Sequence, residues 1–269
     1  MFGLRERRRE KLRRKPFPEE WKAILERDVP LVRRLSPEDR AELCGHILVF
    51  LAEKRFEGAG GFEMTDDARL AVAGQACVLL LHRDTDYFSR LHSIIVYPAE
   101  YVARNRDQDE NGVVWEEEEE RAGESWSLGS LVLSWRDVVE DRENPDTDLN
   151  VILHEFAHQL DGERGDMNGQ PPMTDAELKQ EWASAMLEAY EDLARQVDAG
   201  RNTALDPYGA EDPSEFFAVA TETFFQQPRR LQAVYPKVYA VLSRYFQQDP
   251  LTWAGETRSR GSNGGRRAS

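Results

Sequence analysis

Residues 149–161 read LNVILHEFAHQLD, and within them His154 and His158 stand four positions apart with Glu155 directly after the first histidine. Positions i and i+4 of an α-helix lie on one face, so the two imidazoles would aim at a common point in space. Glu155, about 100° further round the helix, can lean its carboxylate over that same point. H-E-x-x-H on a helix is the arrangement in which two neutral imidazoles ligate zinc and the glutamate acts as general base toward an activated water. Val151, Ile152, Leu153, Phe156, Ala157 and Leu160 make the segment apolar on nearly every face, which predicts a buried helix. Two histidines and a glutamate in such a place carry a large desolvation cost unless they are paired or bound to metal.

A catalytic zinc needs a third protein ligand and one open position. The continuation H-x-x-G-x-x-H is absent, because Asp161 and Arg164 occupy the glycine and histidine positions. His46, His82 and His92 all lie upstream, in the helical part of the chain or at its junction with the first strand, and read as surface or core residues. A carboxylate from a later helix is the better source. The stretch DPYGAEDPSEFFAVATETFF offers Glu215 and Glu222, two helical turns apart on one face. Asp212 and Pro213 have the character of N-cap and first helical residue, so the N3 glutamate of a capping box is the competing role for Glu215. Glu222, in an otherwise apolar helix, suits an acceptor for the far N–H of a ligand imidazole. Composition and spacing leave both open.

Around this motif the chain divides by texture. Residues 16–90 read as three helices: one opening after Pro18, one capped by Ser36 with Pro37 at its first position and stopped by Gly58, Gly60 and Gly61, and a buried one capped by Thr65. Residues 91–253 then carry the motif. HSIIVYP and GSLVLSW read as strands, GVVW as a third short one, and Glu116–Glu120 as a solvated acidic loop. WRDVVE begins a turn of helix. After the motif helix come a Gly/Pro-rich loop, a long amphipathic helix capped by Thr174 and stopped at Gly200, the buried SEFFAVATETFF helix, and two shorter helical stretches. Together 16–253 form one domain, flanked by a basic flexible arm at 1–15 and a Gly/Ser/Arg tail at 254–269 that reads as disordered.

The formal net charge of −15 argues against nucleic acid as a direct partner, since phosphate would be repelled. The arm, with eight Lys/Arg before Pro16 against two Glu, reads as a solvated extension and lacks the apolar core of a secretory signal. Apolar runs such as ACVLLL are too short to cross a bilayer. Cys44 and Cys77 lie in apolar helical segments, so they are expected as free thiols, in keeping with a reducing cytoplasm.

The blocks PFPEEWKAILERDVPLVRRL, GESWSLGSLVLSW, HEFAHQLD and DPSEFFAVATETFF, in this order, resemble the Mlc titration factor A family of bacterial zinc-dependent peptidases over roughly residues 16–252. The resemblance implies an α+β, zincin-like domain of the gluzincin type, mostly helical with a small mixed sheet, its catalytic core similar to that of anthrax lethal factor. It implies Zn2+ held by His154, His158 and Glu215, with Glu155 as base and Tyr208 of DPYG near the reacting carbonyl. The implied activity is aminopeptidase-like hydrolysis of short peptides. The alternative it carries is a regulatory binding protein that sequesters the transcriptional repressor Mlc, the zinc site being structural or secondary. The WEEEEE insert and the C-terminal tail depart from the family's pattern.

Overall fold

The basic arm, expected as a flexible extension over residues 1–15, is instead a helix, α1 (Phe2–Arg13), docked on the body of the protein. Its sequence has no apolar stripe; Leu12 packs against the core, and the other ties are charged. Arg9 is buried, with bonds of 2.9 Å to both oxygens of Glu53 and 2.7 Å to Asp86, and its guanidinium lies 4.7 Å from the centre of the Tyr87 ring. These partners lie at least 44 positions away, so no local pattern announces them.

The computed structural model describes residues 2–99, 101–108, 114–121, 129–144 and 147–253. Next come α2 (Glu19–Asp28), a 3-10 turn at Pro30–Arg34, and α3 (Pro37–Glu53), capped as expected by the Ser36 hydroxyl on the Asp39 N–H. The chain then leaves the helix earlier than the glycines suggest, and Arg55–Gly58 form a strand, β1. Thr65 caps α4 (Asp66–Val78), which is buried along almost its whole length.

The remaining strands are β2 (Ser93–Tyr97), β3 (Tyr101–Gln108), β4 (Val114–Arg121) and β5 (Ser130–Ser134). β1, β2 and β5 make a three-stranded sheet in the order β1-β2-β5, and both pairings are parallel. The expected mixed sheet is therefore a parallel one, because α4 carries the chain back between β1 and β2. β3 and β4 pair antiparallel with each other. The acidic run Glu116–Glu120 thus belongs to a strand rather than to the expected loop. Its backbone register sets Glu116 and Glu118 opposite Arg106 and Arg104.

Helix α5 (Trp135–Glu143) follows β5 directly and is longer than the single turn anticipated. The motif helix is α6 (Val151–Asp161); α7 (Ala176–Asp198), α8 (Pro213–Gln226), α9 (Pro228–Val234) and α10 (Pro236–Phe246) complete the set. The cap of α7 is Asp175, not Thr174: its carboxylate takes the Glu177 and Leu178 N–H groups. Gly200 ends that helix with φ +62°, as its position suggested.

The core fixes α6 and α8 against each other. Phe156 on α6 packs edge-on to Phe88 at 4.9 Å and against Phe50 at 5.7 Å, which ties the motif helix to α3. On α8, Phe217 meets Trp182 of α7 at 5.4 Å and Phe224 stacks on Phe246 of α10 at 5.7 Å. Cys77 is buried and Cys44 half-buried, both as free thiols. No helix among the described residues is long and apolar enough to cross a membrane. The Gly/Ser/Arg tail lies outside the described residues.

The α1 docking has a measurable signature. Burial by itself would raise the Glu53 carboxyl, but hydrogen bonds and charge from Arg9, joined by Arg5, hold it below the usual carboxylate range. A lowered folded value means stability that is present above the ordinary carboxylate range and lost as pH falls through the folded value. Arg9→Ala leaves Glu53 with the exposed Arg5 as its remaining cation and is expected to cost about 1–3 kcal/mol at pH 7, with less difference from wild type at pH 3. Urea unfolding at the two pH values reads this; a wild-type midpoint at pH 7 would mean that α1 is not held by this pair.

Candidate metal centre

Helix α6 begins where Asn150 turns its side chain onto the Leu153 N–H. The same side chain donates to Gln75 of α4, and the Asn150 N–H donates to Glu222 of α8. One capping residue therefore sets both the start of the motif helix and its depth between α4 and α8. The helix then turns His154 and His158 to the same side, as their spacing requires, with the ring centres 4.8 Å apart.

Helix α8 meets this face. Asp212 caps it by accepting the Ser214 and Glu215 N–H groups, with Pro213 at its first position, as expected. The backbone of Glu215 thus sits in the capping geometry, while its carboxylate does not turn back to the cap. It reaches across to the histidines instead: Glu215 Oε2 lies 3.0 Å from His154 Nε2 and 3.3 Å from His158 Nε2, and the two Nε2 atoms are 3.2 Å apart. Four-coordinate ligand bonds of about 2.0–2.1 Å place neighbouring donors about 3.3 Å apart. The triangle of two nitrogens and one oxygen therefore fits the face of a tetrahedral metal site, and these three residues could hold a metal ion.

Glu222 stands behind the triangle. Its Oε1 lies 2.8 Å from His154 Nδ1, on the side of the ring away from Glu215. It stands where an acceptor for the His154 Nδ1–H would stand. His154 is thus held between two carboxylates. Burial would lower its value, but the hydrogen bonds to Glu215 and Glu222 prevail and hold it well above the usual imidazole range. Glu215 shows the counterpart: burial would raise it, yet both imidazoles bring it down to about 2. Glu222, fully enclosed, is raised by burial against the pull of His154 and the Asn150 N–H.

Glu155 is set apart from these pairings. It is buried, and its Oε2 has no hydrogen-bond partner among the described residues. Burial lifts its carboxyl to about 8, with the charges of Glu215 and Glu222 pushing the same way against His154. Tyr208 sits on the 3-10 turn Pro207–Ala210 that leads into α8, capped by Asp206. Its ring centre is 5.9 Å from that of His154, and about half of its surface is open to solvent. Burial, then the charges of Glu215, Glu211 and Glu155, raise the phenol to about 12, so it stays protonated at neutral pH.

His154, Glu155, His158, Glu215, Glu222 and Tyr208, all singled out in the sequence, are thus gathered at one place. Two others were not foreseen. Ser214 Oγ lies 3.0 Å from His158 Nδ1, and Asp161 Oδ2 lies 3.2 Å from that hydroxyl. The signals were present as the last residue of HEFAHQLD and the residue before Glu215, but only the packing of α6 on α8 joins them. The upstream histidines go elsewhere. His46 is buried against Tyr87 and Glu42. His82 turns one ring nitrogen to Asp39 and the other to Glu42, each at 3.1 Å. Those three residues also gather donor atoms within 4.8 Å of one another. There, however, the two carboxylates face different ring nitrogens, so the set does not converge on one point as the α6–α8 triangle does.

A helix presenting two imidazoles and a free acid, faced by a carboxylate from a second helix, is the donor arrangement of a metallopeptidase. The sequence comparisons agree. Residues 4–247 match the family described as glucose-regulated metallo-peptidase M90, and the chain belongs to it. Among its relatives is an uncharacterized protein of Synechocystis sp., 41% identical over 245 residues, covering 91% of this chain and 89% of that one. Mlc titration factor A of Escherichia fergusonii is 29% identical over 225 residues, covering 83% and 84%. That of Escherichia coli O7:K1 is 29% identical over 233 residues, covering 86% of each. The matched region takes in most of α1, which the quoted sequence blocks did not reach.

A raised carboxyl binds more protons in the folded state than in the unfolded one, so it removes stability as pH rises from the ordinary glutamate range toward about 8. In chelator-treated protein, Glu155→Gln should therefore be more stable than wild type at pH 8 and differ little at pH 5, by urea unfolding. An equal difference at both would mean that Glu155 is already compensated in the fold.

Proposed function

We propose that this protein is a zinc-dependent peptidase, with His154, His158 and Glu215 as zinc ligands, Glu155 as general base and Tyr208 as a hydrogen-bond donor to the reacting carbonyl. The observation that carries the reading is the convergence of the two Nε2 atoms and one Glu215 oxygen at 3.0–3.3 Å. Both Nδ1 atoms are engaged on their far sides by Glu222 and Ser214, as ligand histidines require. Nitrogen and carboxylate donors without sulfur suit Zn2+ at a catalytic site. Zinc, when bound, supplies Lewis acidity toward a water molecule and toward the scissile carbonyl.

The protein's own residues divide the remaining work. Glu155, raised by burial into the range of a base working near neutrality, takes a proton from the attacking water. The water oxygen bonds to the carbonyl carbon, and the same carboxyl then returns the proton to the amine as the C–N bond breaks. The products are a carboxylate and a protonated amine, which between them keep both protons of the water, and no covalent enzyme intermediate is needed. Tyr208, protonated and half-exposed at the rim, offers its O–H to the carbonyl oxygen as negative charge grows there. β5 lies at the edge of the three-stranded sheet, close to α6, and offers backbone groups for an extended peptide to pair with. Short peptides cleaved from the amino end are the substrates the family resemblance favours.

The names of the relatives support a second reading, in which this chain also captures the repressor Mlc. Such a surface need not overlap the cleft. Mlc capture that persists in Glu155→Gln would assign it to a separate patch.

Metal analysis beside peptidase assays tests the main proposal. Wild type should carry close to one zinc per chain and release a chromophore from short peptide substrates. Glu155→Gln should keep the zinc and lose at least a hundredfold in kcat, in line with the usual worth of a general base. Glu215→Ala should lose the zinc, and Tyr208→Phe should lower kcat with the zinc retained. Full turnover in Glu155→Gln, or zinc lost only from Glu222→Ala, would overturn these assignments.

A further inference from the structure

His154 and His158 are oriented by different means. His154 has a carboxylate directly on its Nδ1, Glu222 at 2.8 Å. His158 has a hydroxyl, Ser214 Oγ at 3.0 Å, and the carboxylate stands one step further back, with Asp161 Oδ2 3.2 Å from that hydroxyl. We propose that Asp161, acting through Ser214, is the positioning group for His158: it fixes the imidazole tautomer that leaves Nε2 free for the metal. The inference rests on the metallopeptidase reading and assigns this chain's own residues within it.

Counting protons gives the direction. Asp161 Oδ2, which already accepts the Gly169 N–H, faces Ser214 as an acceptor, so the single hydroxyl hydrogen of Ser214 goes to Asp161. The Ser214 oxygen then faces His158 as an acceptor, and Nδ1 must carry the ring hydrogen. Nε2 is left with its lone pair on the side of His154 and Glu215. Were the Ser214 hydrogen turned toward His158 instead, Nδ1 would become the acceptor and the neutral ring would hold its hydrogen on Nε2, where the metal should be. Asp161 decides between these states.

The relay is built rigidly. His158, Ser214 and Asp161 are all buried. Asp161 lies three positions after His158, one turn along the same face of α6. Ser214 directly precedes Glu215, so the first turn of α8 delivers the relay hydroxyl and the third donor side by side. Asp161 is itself anchored, since its Oδ2 also accepts the Gly169 N–H at 2.7 Å. Gly169 is clamped in turn: its carbonyl accepts from the Trp182 indole at 2.9 Å. Its φ is +75°, and an added Cβ would lie 2.1 Å from the Pro213 carbonyl oxygen, so only glycine fits. Asp161 Oδ1, by contrast, is buried with no partner among the described residues. A fully bonded side chain would suit the packing better, and the fold keeps an acceptor where His158 needs one.

Ser214→Ala is the cleanest probe, because it breaks the relay while leaving the Asp161–Gly169 bond in place. Zinc affinity, by competition with a chelating indicator, is expected to fall 10–100-fold, and the visible spectrum of the Co2+-loaded protein to change. Ser214→Thr, which keeps the hydroxyl, should restore both, and Asp161→Asn should weaken binding as well. Wild-type affinity and an unchanged cobalt spectrum in Ser214→Ala would overturn the relay while leaving the metal centre standing. If wild type itself takes up no metal, the centre falls and the relay with it. Should Ser214→Ala fail to fold, histidine 15N spectra of the zinc-loaded wild type decide. His158 protonated at Nδ1 supports the relay, and protonation at Nε2 refutes it.

Discussion

The structure turns on the packing of α6 against α8, because that contact is where buried charge must be balanced. Helix α6 is apolar enough to belong in the core, yet it carries His154, Glu155 and His158 inward. Left alone, these groups would make the helix costly to bury. Helix α8 supplies the balance with Glu215 in front of the imidazoles and Glu222 behind one of them, while Ser214 takes the other. Phe156 and Phe217, packed on opposite helices into the surrounding aromatic core, fix the distance at which this compensation happens. Glu155 is the exception. One of its oxygens stays unmatched beside the paired imidazoles, and burial of this kind lifts a carboxyl toward neutral pH.

The polar scaffold behind the cluster extends well beyond it. Asn150 joins the start of α6 to Gln75 on α4 and to Glu222 on α8. Asp161 joins its end to Ser214 and to the Gly169 turn. Each end of an eleven-residue helix is therefore tied by side chains to neighbouring elements. A site whose donors must sit within a few tenths of an ångström needs such bracing, since loosely held ligands lose affinity and selectivity together.

Much of this was legible in the sequence, because chemistry at fixed helical spacing writes itself locally. His154, Glu155 and His158 lie within five residues, and Asp212–Pro213 mark the start of α8 through ordinary capping chemistry. What stayed hidden depended on partners far along the chain. The choice between Glu215 and Glu222 required knowing which oxygen faces Nε2 and which faces Nδ1, a matter of how deep α8 sits against α6. The docking of α1 required Glu53 and Asp86. RFEG is short and half charged, and it becomes a strand, β1, only when β2 lies beside it. The acidic run becomes a strand only by pairing with Tyr101–Gln108, which no local pattern in the run announces.

In the function proposed above, two imidazoles and Glu215 grip one zinc ion. Crystals grown with zinc, measured on both sides of its absorption edge, test it most directly. A single strong anomalous peak about 2.0–2.2 Å from His154 Nε2, His158 Nε2 and a Glu215 oxygen is expected, with Glu222 still on His154 Nδ1. No peak at that position, or one ligated by Glu222 instead of Glu215, would contradict it.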